Sequence, residues 1–191
     1  MAVKTFTTGE VLTAADTNTF LTNAGHNYIT GAAFSGITNA APLNVDNVFT
    51  ATYRDYLLVI DNCNGTATFD LLFQWRVGGV TTTAGYFTAY VGLTSAAGAF
   101  NASNNGGAVG AICMSGDTAA GSGSSTSQIM TPNTTGQAAI QSVMFAQGPG
   151  YYQTRSGGGA LNAATDFTGF TLRPSTGTVA GNYALYGYRK A

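Results

Sequence analysis

The fold is decided by the stretch Thr66–Val77, which reads TATFDLLFQWRV. Apolar side chains occupy one set of alternate positions: Ala67, Phe69, Leu71, Phe73, Trp75 and Val77. The other set is polar apart from Leu72: Thr66, Thr68, Asp70, Gln74 and Arg76. A period of two predicts a β-strand with one buried face and one face in water. We therefore expect Trp75 to lie in a core, and Gly78–Gly79 to end the strand.

Strand signals recur on both sides of this stretch. Strong ones lie at Tyr56–Ile60, Asp166–Arg173 and Thr178–Tyr188, and in a segment where Phe87, Ala89, Val91 and Leu93 alternate with Thr88, Tyr90 and Gly92. Weaker ones lie at Ala108–Met114, Gln128–Met130, Ala138–Ala146 and Tyr151–Arg155. Asn64–Gly65 predicts a hairpin turn, and segments rich in Gly, Ser and Asn predict loops: Gly98–Gly107, Ser115–Ser127, Gly148–Gly150 and Ser156–Gly159. The spacing predicts an all-β fold, an antiparallel β-sandwich of jelly-roll type, over residues 42–191.

Residues 1–41 differ from this body and predict an N-terminal arm. Thr13 precedes Ala14-Ala15-Asp16, which is close to a capping box, so we expect a short helix over Ala14–Asn23. A helix of two to three turns is marginal alone in water. Apolar side chains of the arm are therefore expected to dock on this body or on another protein, and the candidates for anchoring are Val11, Leu12, Phe20 and Leu21.

Charge is scarce, and this excludes several functions. Charged residues make up 8% of the chain, its net charge is −1, and it has seven Lys and Arg residues. A nucleic-acid partner is not expected, because phosphate contacts need a basic face. Membrane insertion is not expected either, because no run approaches the roughly 20 apolar residues that span a bilayer. Large neutral faces suit contacts between subunits.

The residues that commonly carry catalysis or bind metals are few. His26 is the one histidine, and its neighbours in sequence are Ala24, Gly25 and Asn27. Glycoside hydrolysis needs two facing carboxylates, whereas Asp61 and Asp70 are expected to be ordinary solvated acids. No calcium-loop spacing occurs, and Cys63 and Cys113 are expected to be free, buried thiols. We expect no catalytic residue, no metal and no cofactor.

Sugar binding is the more serious chemical candidate, because aromatic rings stack on the faces of sugar rings. Tyr151 and Tyr152 follow Gly148–Gly150 and precede Gly157–Gly159, so they are the first candidates for an exposed platform. Tyr86 and Tyr90 are the second. Tyrosine at a sheet end also serves packing or subunit contact, which leaves a structural role open for all four.

Several stretches resemble virion proteins of tailed bacteriophages. Lys4–Leu21, KTFTTGEVLTAADTNTFL, resembles the N-terminal opening of many small tail or fibre proteins. Phe170–Gly177, FTLRPSTG, and Tyr183–Gly187, YALYG, are similar to the closing hairpin of phage β-sandwich domains. Tyr53–Ile60, YRDYLLVI, looks like an early strand of the same domains. The family has no catalytic motif to carry over.

The resemblance implies a structural role on the outside of a virion, usually as a homotrimer. Two positions on the particle are compatible with it. One is a capsid decoration, or cement, protein docked on the major capsid protein by its arm. The other is a short tail-fibre or receptor-binding protein that recognises a host surface glycan. The chain has no shaft of heptads or β-repeats, which favours decoration, whereas the N-terminal stretch favours a tail protein.

Overall fold

The computed structural model describes residues 7–11, 13, 25–95, 99–116, 123–134, 136–148, 151–163 and 165–189. Within these ranges the regular elements are β-strands, and none is a helix. The predicted helix over 14–23 lies outside the described residues, as do Leu12, Phe20 and Leu21. Val11 is described and is exposed.

The strands form two antiparallel sheets. Their bounds are β1 (His26–Ile37), β2 (Leu43–Val45), β3 (Tyr53–Gly65), β4 (Phe69–Val77), β5 (Val80–Thr81), β6 (Tyr86–Thr94), β7 (Ala99–Ala108), β8 (Ala111–Gly116), β9 (Gly123–Met130), β10 (Gly136–Gly148), β11 (Tyr151–Ala163), β12 (Gly169–Pro174) and β13 (Val179–Arg189). The first sheet has eight strands in the order β1-β13-β3-β9-β10-β11-β6-β7. The second has five, in the order β2-β12-β4-β5, with β8 also paired to β4. The predicted all-β, antiparallel sandwich is confirmed.

The sandwich begins earlier in the chain than the sequence indicated. β1 lies within residues 1–41, which were assigned to the arm, yet it pairs with β13 along most of its length. Phe34 and Ile37 of this strand are buried in the main core. The boundary between arm and body is therefore before His26, because these two side chains can be buried only against the sheets.

The core lies between the facing sheets and is rich in aromatic rings. Trp75 is fully buried, as predicted, and stacks on Phe167 with ring centroids 5.4 Å apart. Phe73 stacks on Phe170 at 5.4 Å. Aromatic pairs in such geometries add to the free energy of burying their area. The stretch that predicts the fold thus also supplies the centre of its core.

The second face of β4 is not in water, in contrast to the prediction. Leu72, Gln74 and Arg76 are all buried. The Gln74 side-chain amide donates to the Val109 carbonyl at 2.6 Å, and Arg76 bonds to side chains of three other strands or loops, Asn44, Asp46 and Thr81. Polar side chains can be buried when every donor finds a partner, so the polar half of the alternation does not identify a wet face here.

Asn64–Gly65 does not form the predicted hairpin. β3 runs through Gly65 in the first sheet, and the chain then crosses to β4 in the second sheet. A Cβ at Gly65 would come within 2.6 Å of the Phe69 ring, so the glycine here makes room for a core aromatic. The irregularity lies earlier, at Asn62, whose φ of 51° accompanies a register shift in β3. The predicted turn at Gly78–Gly79 is confirmed, with both residues at positive φ as a two-residue hairpin requires.

Three segments predicted as loops are strands where the structure describes them. Most of Gly98–Gly107 lies in β7, Ser156–Gly159 lies inside β11, and the described residues of Ser115–Ser127 lie at the end of β8 and in β9. At Gly158 a Cβ would come within 2.0 Å of the Ile140 carbonyl oxygen, and at Gly159 within 2.5 Å of the Phe87 carbonyl oxygen. The glycines therefore allow β10, β11 and β6 to approach closely, which is one of the recognised uses of glycine in a strand.

Candidate functional site: an uncharged sheet face

The strand β6 presents its apolar side chains to solvent. The side chains alternate between the two faces of the sheet, as predicted. The apolar set, however, faces solvent, with Phe87 and Leu93 55% and 56% exposed, whereas Thr88 of the other set is buried. The reversal follows from the inner face, where Tyr86 and Tyr90 fill the space between the sheets. An apolar face turned outward is a candidate interaction surface.

Apolar side chains also face outward on β10, and small polar residues of β11 lie between them and those of β6. In register, Leu93 lies opposite Thr154, which lies opposite Phe145. One step along, Val91 lies opposite Ser156, which lies opposite Val143. We name the exposed apolar residues on this face the outer patch; they are Phe87, Val91, Leu93, Val143, Phe145 and Tyr152.

The sheet around the outer patch carries no charge over four strands. The outward positions of β6, β9, β10 and β11 hold Ala, Val, Leu, Met, Phe, Tyr, Gly, Ser, Thr, Asn and Gln only. Shallow grooves cross the face: one of 420 Å³ is lined by Val59, Asp61, Val143 and Phe145, and one of 330 Å³ by Leu93 and Tyr152. Asp61 of β3 therefore borders the uncharged strands, and a partner that covers only β6, β10 and β11 buries apolar area without desolvating a charge.

The four tyrosines singled out in the sequence have different environments. Tyr152 is 53% exposed and stacks on Phe145, with ring centroids 6.0 Å apart and planes at 23°. Tyr151 lies in β11, but its side chain is outside the described part of the structure. The structure therefore brings Tyr152 to the outer patch beside an aromatic partner that the sequence analysis did not single out.

Tyr86 is not a surface residue, so its assignment as a sugar contact is wrong. It is fully buried. Its hydroxyl accepts a hydrogen bond from the Trp75 backbone N–H at 2.7 Å and donates one to the Thr82 carbonyl at 3.0 Å. Burial raises the pKa of Tyr86 above its ordinary value.

Tyr90 is half-buried and faces the inside of the sandwich. Its ring packs against the small cluster of Leu72, Ile112 and Met144. The guanidinium carbon of Arg155 lies 4.8 Å from the ring centroid, in a cation–π arrangement. One face of the ring is thereby occupied, so Tyr90 is not an open stacking platform.

Arg155 belongs to a polar cluster that sequence reasoning missed. Its Nη1 donates to Ser115 Oγ at 2.8 Å and lies 3.5 Å from Asp70 Oδ1. The Ser115 hydroxyl donates to the same Asp70 oxygen at 2.5 Å. Asp70 was expected to be an ordinary solvated acid, whereas it is half-buried and paired. The three residues lie on β11, β8 and β4, and no sequence spacing indicates that these strands meet.

The remaining candidates have structural partners. The His26 ring nitrogen Nε2 is hydrogen-bonded to the Tyr188 hydroxyl at 2.5 Å, on an exposed part of the surface. Cys63 and Cys113 are buried and free, as predicted. The pKa of the Cys63 thiol is raised to about 12, mainly by burial and to a smaller extent by the nearby Asp61 charge. Among the described residues no group of three or more His, Cys, Asp or Glu side chains is placed to hold a metal ion.

The part of the chain that the structure describes has no helix of the length and apolarity needed to cross a membrane.

Comparisons with known proteins assign no family. No protein-family model matches the chain, and no curated protein matches it. A solved structure of a fructofuranosidase variant from Schwanniomyces occidentalis, complexed with fructosylnystose, is similar over 84% of this chain and 34% of that chain. The sequence identity is 7% and the TM-score is 0.22. The chain thus spans about a third of that protein, and a likeness of this size carries no argument about fold or activity.

Proposed function

We propose that this chain is a non-enzymatic structural protein of a tailed-bacteriophage virion. In this proposal it forms a homotrimer on the exterior of the particle and decorates the capsid. Its N-terminal arm docks on the major capsid protein, and the sandwich faces outward. The observation that carries the proposal is the outer patch with its uncharged surroundings.

The outer patch supports self-association by its composition. Monomeric soluble proteins rarely expose contiguous apolar surface unless it meets a partner or a ligand. The cores of subunit interfaces are depleted of charge and enriched in aromatic residues, and here Phe87, Phe145 and Tyr152 lie on strands whose outward positions hold no Lys, Arg, Asp or Glu. Closed rings of identical subunits are the ordinary outcome of such contacts. The three-fold symmetry itself comes from the resemblance to virion proteins.

The position of β1 supports an arm that reaches beyond the sandwich. β1 is an edge strand of the first sheet, next to β13. The chain therefore enters the sandwich at the sheet edge at His26, and the 25 preceding residues join it there. Val11, which is 78% exposed, is available for docking on a neighbouring protein.

A second candidate function is a tail-fibre or receptor-binding protein that recognises a host glycan. The observation that favours it is the stacked pair of Phe145 and Tyr152, because exposed aromatic rings are sugar platforms. The two candidates differ in how many copies one particle carries. Loss of adsorption by intact particles carrying Tyr151→Ala and Tyr152→Ala would favour the second.

Sedimentation velocity at micromolar concentration tests the contact. The wild-type chain is expected to sediment as a trimer, and the double variant Val143→Ser, Phe145→Ser as a monomer. The matched control is Val80→Ser, since Val80 is 68% exposed on β5 of the other sheet. The control is expected to remain a trimer. A monomeric wild type, or a trimer that survives the double substitution, would refute the proposed contact.

A further inference from the structure

We propose that the cleft around Asp70 and Arg155 binds one ring of a neutral saccharide. The cleft has a volume of 200 Å³ and lies where β4, β8, β11 and β6 meet. Its polar lining consists of Thr68, Asp70, Ser115, Gln153, Arg155 and Ser175, with Tyr90 at one side. This site is on the inner side of the first sheet, so it is separate from the outer patch.

The guanidinium of Arg155 is held in one orientation before any ligand arrives. Ser115 Oγ accepts a hydrogen bond from its Nη1, Asp70 balances its charge, and the Tyr90 ring packs against the guanidinium in a cation–π contact. Asp70 is itself fixed, because its backbone N–H donates to Ser175 Oγ at 2.9 Å and its carbonyl accepts from the Ser175 N–H at 2.8 Å. Preorganised polar groups reduce the entropic cost of binding.

Arg155 and Asp70 are partly buried, but both side chains remain accessible to a ligand in the cleft. The side chains of Arg155 and Asp70 are 18% and 37% exposed. Burying a charge pair is costly unless further hydrogen bonds satisfy it, and a ligand with hydroxyl groups supplies such bonds. Gln153, 7% exposed, adds an amide to the same wall.

The balance of charge selects a neutral ligand. One carboxylate and one guanidinium leave the cleft with no net charge, so an anion would meet the Asp70 oxygens as well as the Arg155 cation. A sugar hydroxyl can donate to the carboxylate while its neighbour accepts from the guanidinium or the amide. Adjacent hydroxyl groups on one ring therefore match the alternation of acceptor and donor in this cleft.

The size of the cleft allows it to enclose one sugar ring. Its volume is below the range of about 300–1,000 Å³ that holds drug-sized ligands. The inference extends the second candidate function by adding a saccharide site in the inner cleft, apart from the pair of Phe145 and Tyr152, and it does not depend on where the protein sits on a particle.

Saturation-transfer difference NMR on the full chain tests the proposal. The probes are the methyl glycosides of glucose, galactose and mannose, with acetate as the anionic probe. Two variants are compared with the wild type. Asp70→Asn keeps the shape of the side chain but removes the carboxylate, and Thr68→Tyr fills the cleft from an exposed position on its rim. Circular dichroism checks that each variant is folded.

The expected result is a signal from at least one methyl glycoside with the wild type. Asp70→Asn should weaken its affinity by about tenfold or more, because a hydrogen bond to a charged group is lost. Thr68→Tyr leaves Asp70, Ser115 and Arg155 unchanged and should abolish the signal by filling the cleft. It therefore tests the proposal even if the Asp70→Asn variant does not fold.

Three results would overturn the proposal. The first is no signal with any of the three glycosides. The second is a stronger response to acetate than to the sugars. The third is a sugar signal that persists in Thr68→Tyr. If that signal then disappears in Tyr152→Ala, the sugar lies on the outer patch and the second candidate function stays intact.

Discussion

The hydroxyl of Tyr86 takes the place of a strand partner for the backbone of Trp75. On the side of β4 away from β12, the pairing with β8 ends at Phe73 and the pairing with β5 begins at Arg76. In this gap the Trp75 N–H donates to the Tyr86 hydroxyl, and the Trp75 carbonyl accepts from the Thr82 N–H at 2.9 Å. A side chain that was expected on the surface thus completes the hydrogen bonding of the central core strand.

The substitution Tyr86→Phe is therefore expected to destabilise the protein. It removes the acceptor of a buried N–H while leaving the ring in place, and an unpaired buried donor costs about 1–3 kcal/mol. Urea denaturation followed by tryptophan fluorescence measures the free energy of unfolding. Tyr152→Phe is the matched control, because the exposed Tyr152 hydroxyl can return to water. Equal stability of the two variants would contradict the role assigned to Tyr86.

The close approach of β10 to β11 predicts that Gly158→Ala is poorly tolerated. The new Cβ would meet the Ile140 carbonyl oxygen at 2.0 Å, which forces the backbone of the two strands apart. A loss of about 1–3 kcal/mol or more is expected. Gly106→Ala in β7 serves as the control, since no atom lies within 4 Å of its added Cβ. Thermal unfolding of both variants would contradict the account if the Gly106 variant were the less stable one.

The bidentate pair of Arg76 and Asp46 predicts a loss of stability in acid. Arg76 Nε and Nη2 donate to the two Asp46 oxygens at 2.9 and 3.1 Å. The hydrogen bonds from Arg76 hold the pKa of Asp46 below its ordinary value of 3.8. Burial acts in the opposite direction, but its effect is smaller. A depressed folded pKa contributes stability above the unfolded pKa, and that contribution is lost as the pH falls through the folded value.

Asp46→Asn is accordingly expected to be less stable than the wild type at neutral pH and to lose less stability on acidification below about pH 4. Unfolding free energies across this range measure both effects. Parallel pH profiles for the two proteins would show that the pair does not contribute in this way.

The two buried cysteines are expected to react only after unfolding. The thiolate is the nucleophile, and with its pKa raised to about 12 the Cys63 thiol stays protonated at mildly alkaline pH. Burial raises the pKa of Cys113 as well. A thiol reagent such as DTNB should label neither cysteine in the native protein and both in guanidinium chloride. Rapid labelling of the native chain would contradict their buried placement.

The parts of the fold that the sequence predicts are those governed by local periodicity. The burial of Trp75 and the glycine turn after β4 depend on neighbouring residues, and both are confirmed, whereas the wet face predicted for β4 is wrong. The predicted hairpin at Asn64–Gly65 is wrong, because β3 runs through Gly65 and the chain then passes to the second sheet, where Phe69 packs against this glycine. Which strand joins which sheet is a long-range property that no local signal specifies.

The candidate sites were less predictable for the same reason. Periodicity indicates that β6 has two unlike faces. Hydrophobicity predicts that the face with Phe87 and Leu93 is buried, but the buried face is the one with Tyr86 and Tyr90. The outer patch and the cluster of Asp70, Ser115 and Arg155 each combine residues from three strands. Only the strand order reveals them.

The measurement that tests the central claim most directly is the copy number of this protein in purified particles of the phage that, in our proposal, encodes it. Quantitative mass spectrometry, or densitometry of a stained gel, gives its ratio to the major capsid protein. A capsid decoration protein is expected at hundreds of copies per particle, whereas a few dozen copies or fewer would indicate a tail protein. Absence of the chain from intact particles would contradict a structural role in the virion.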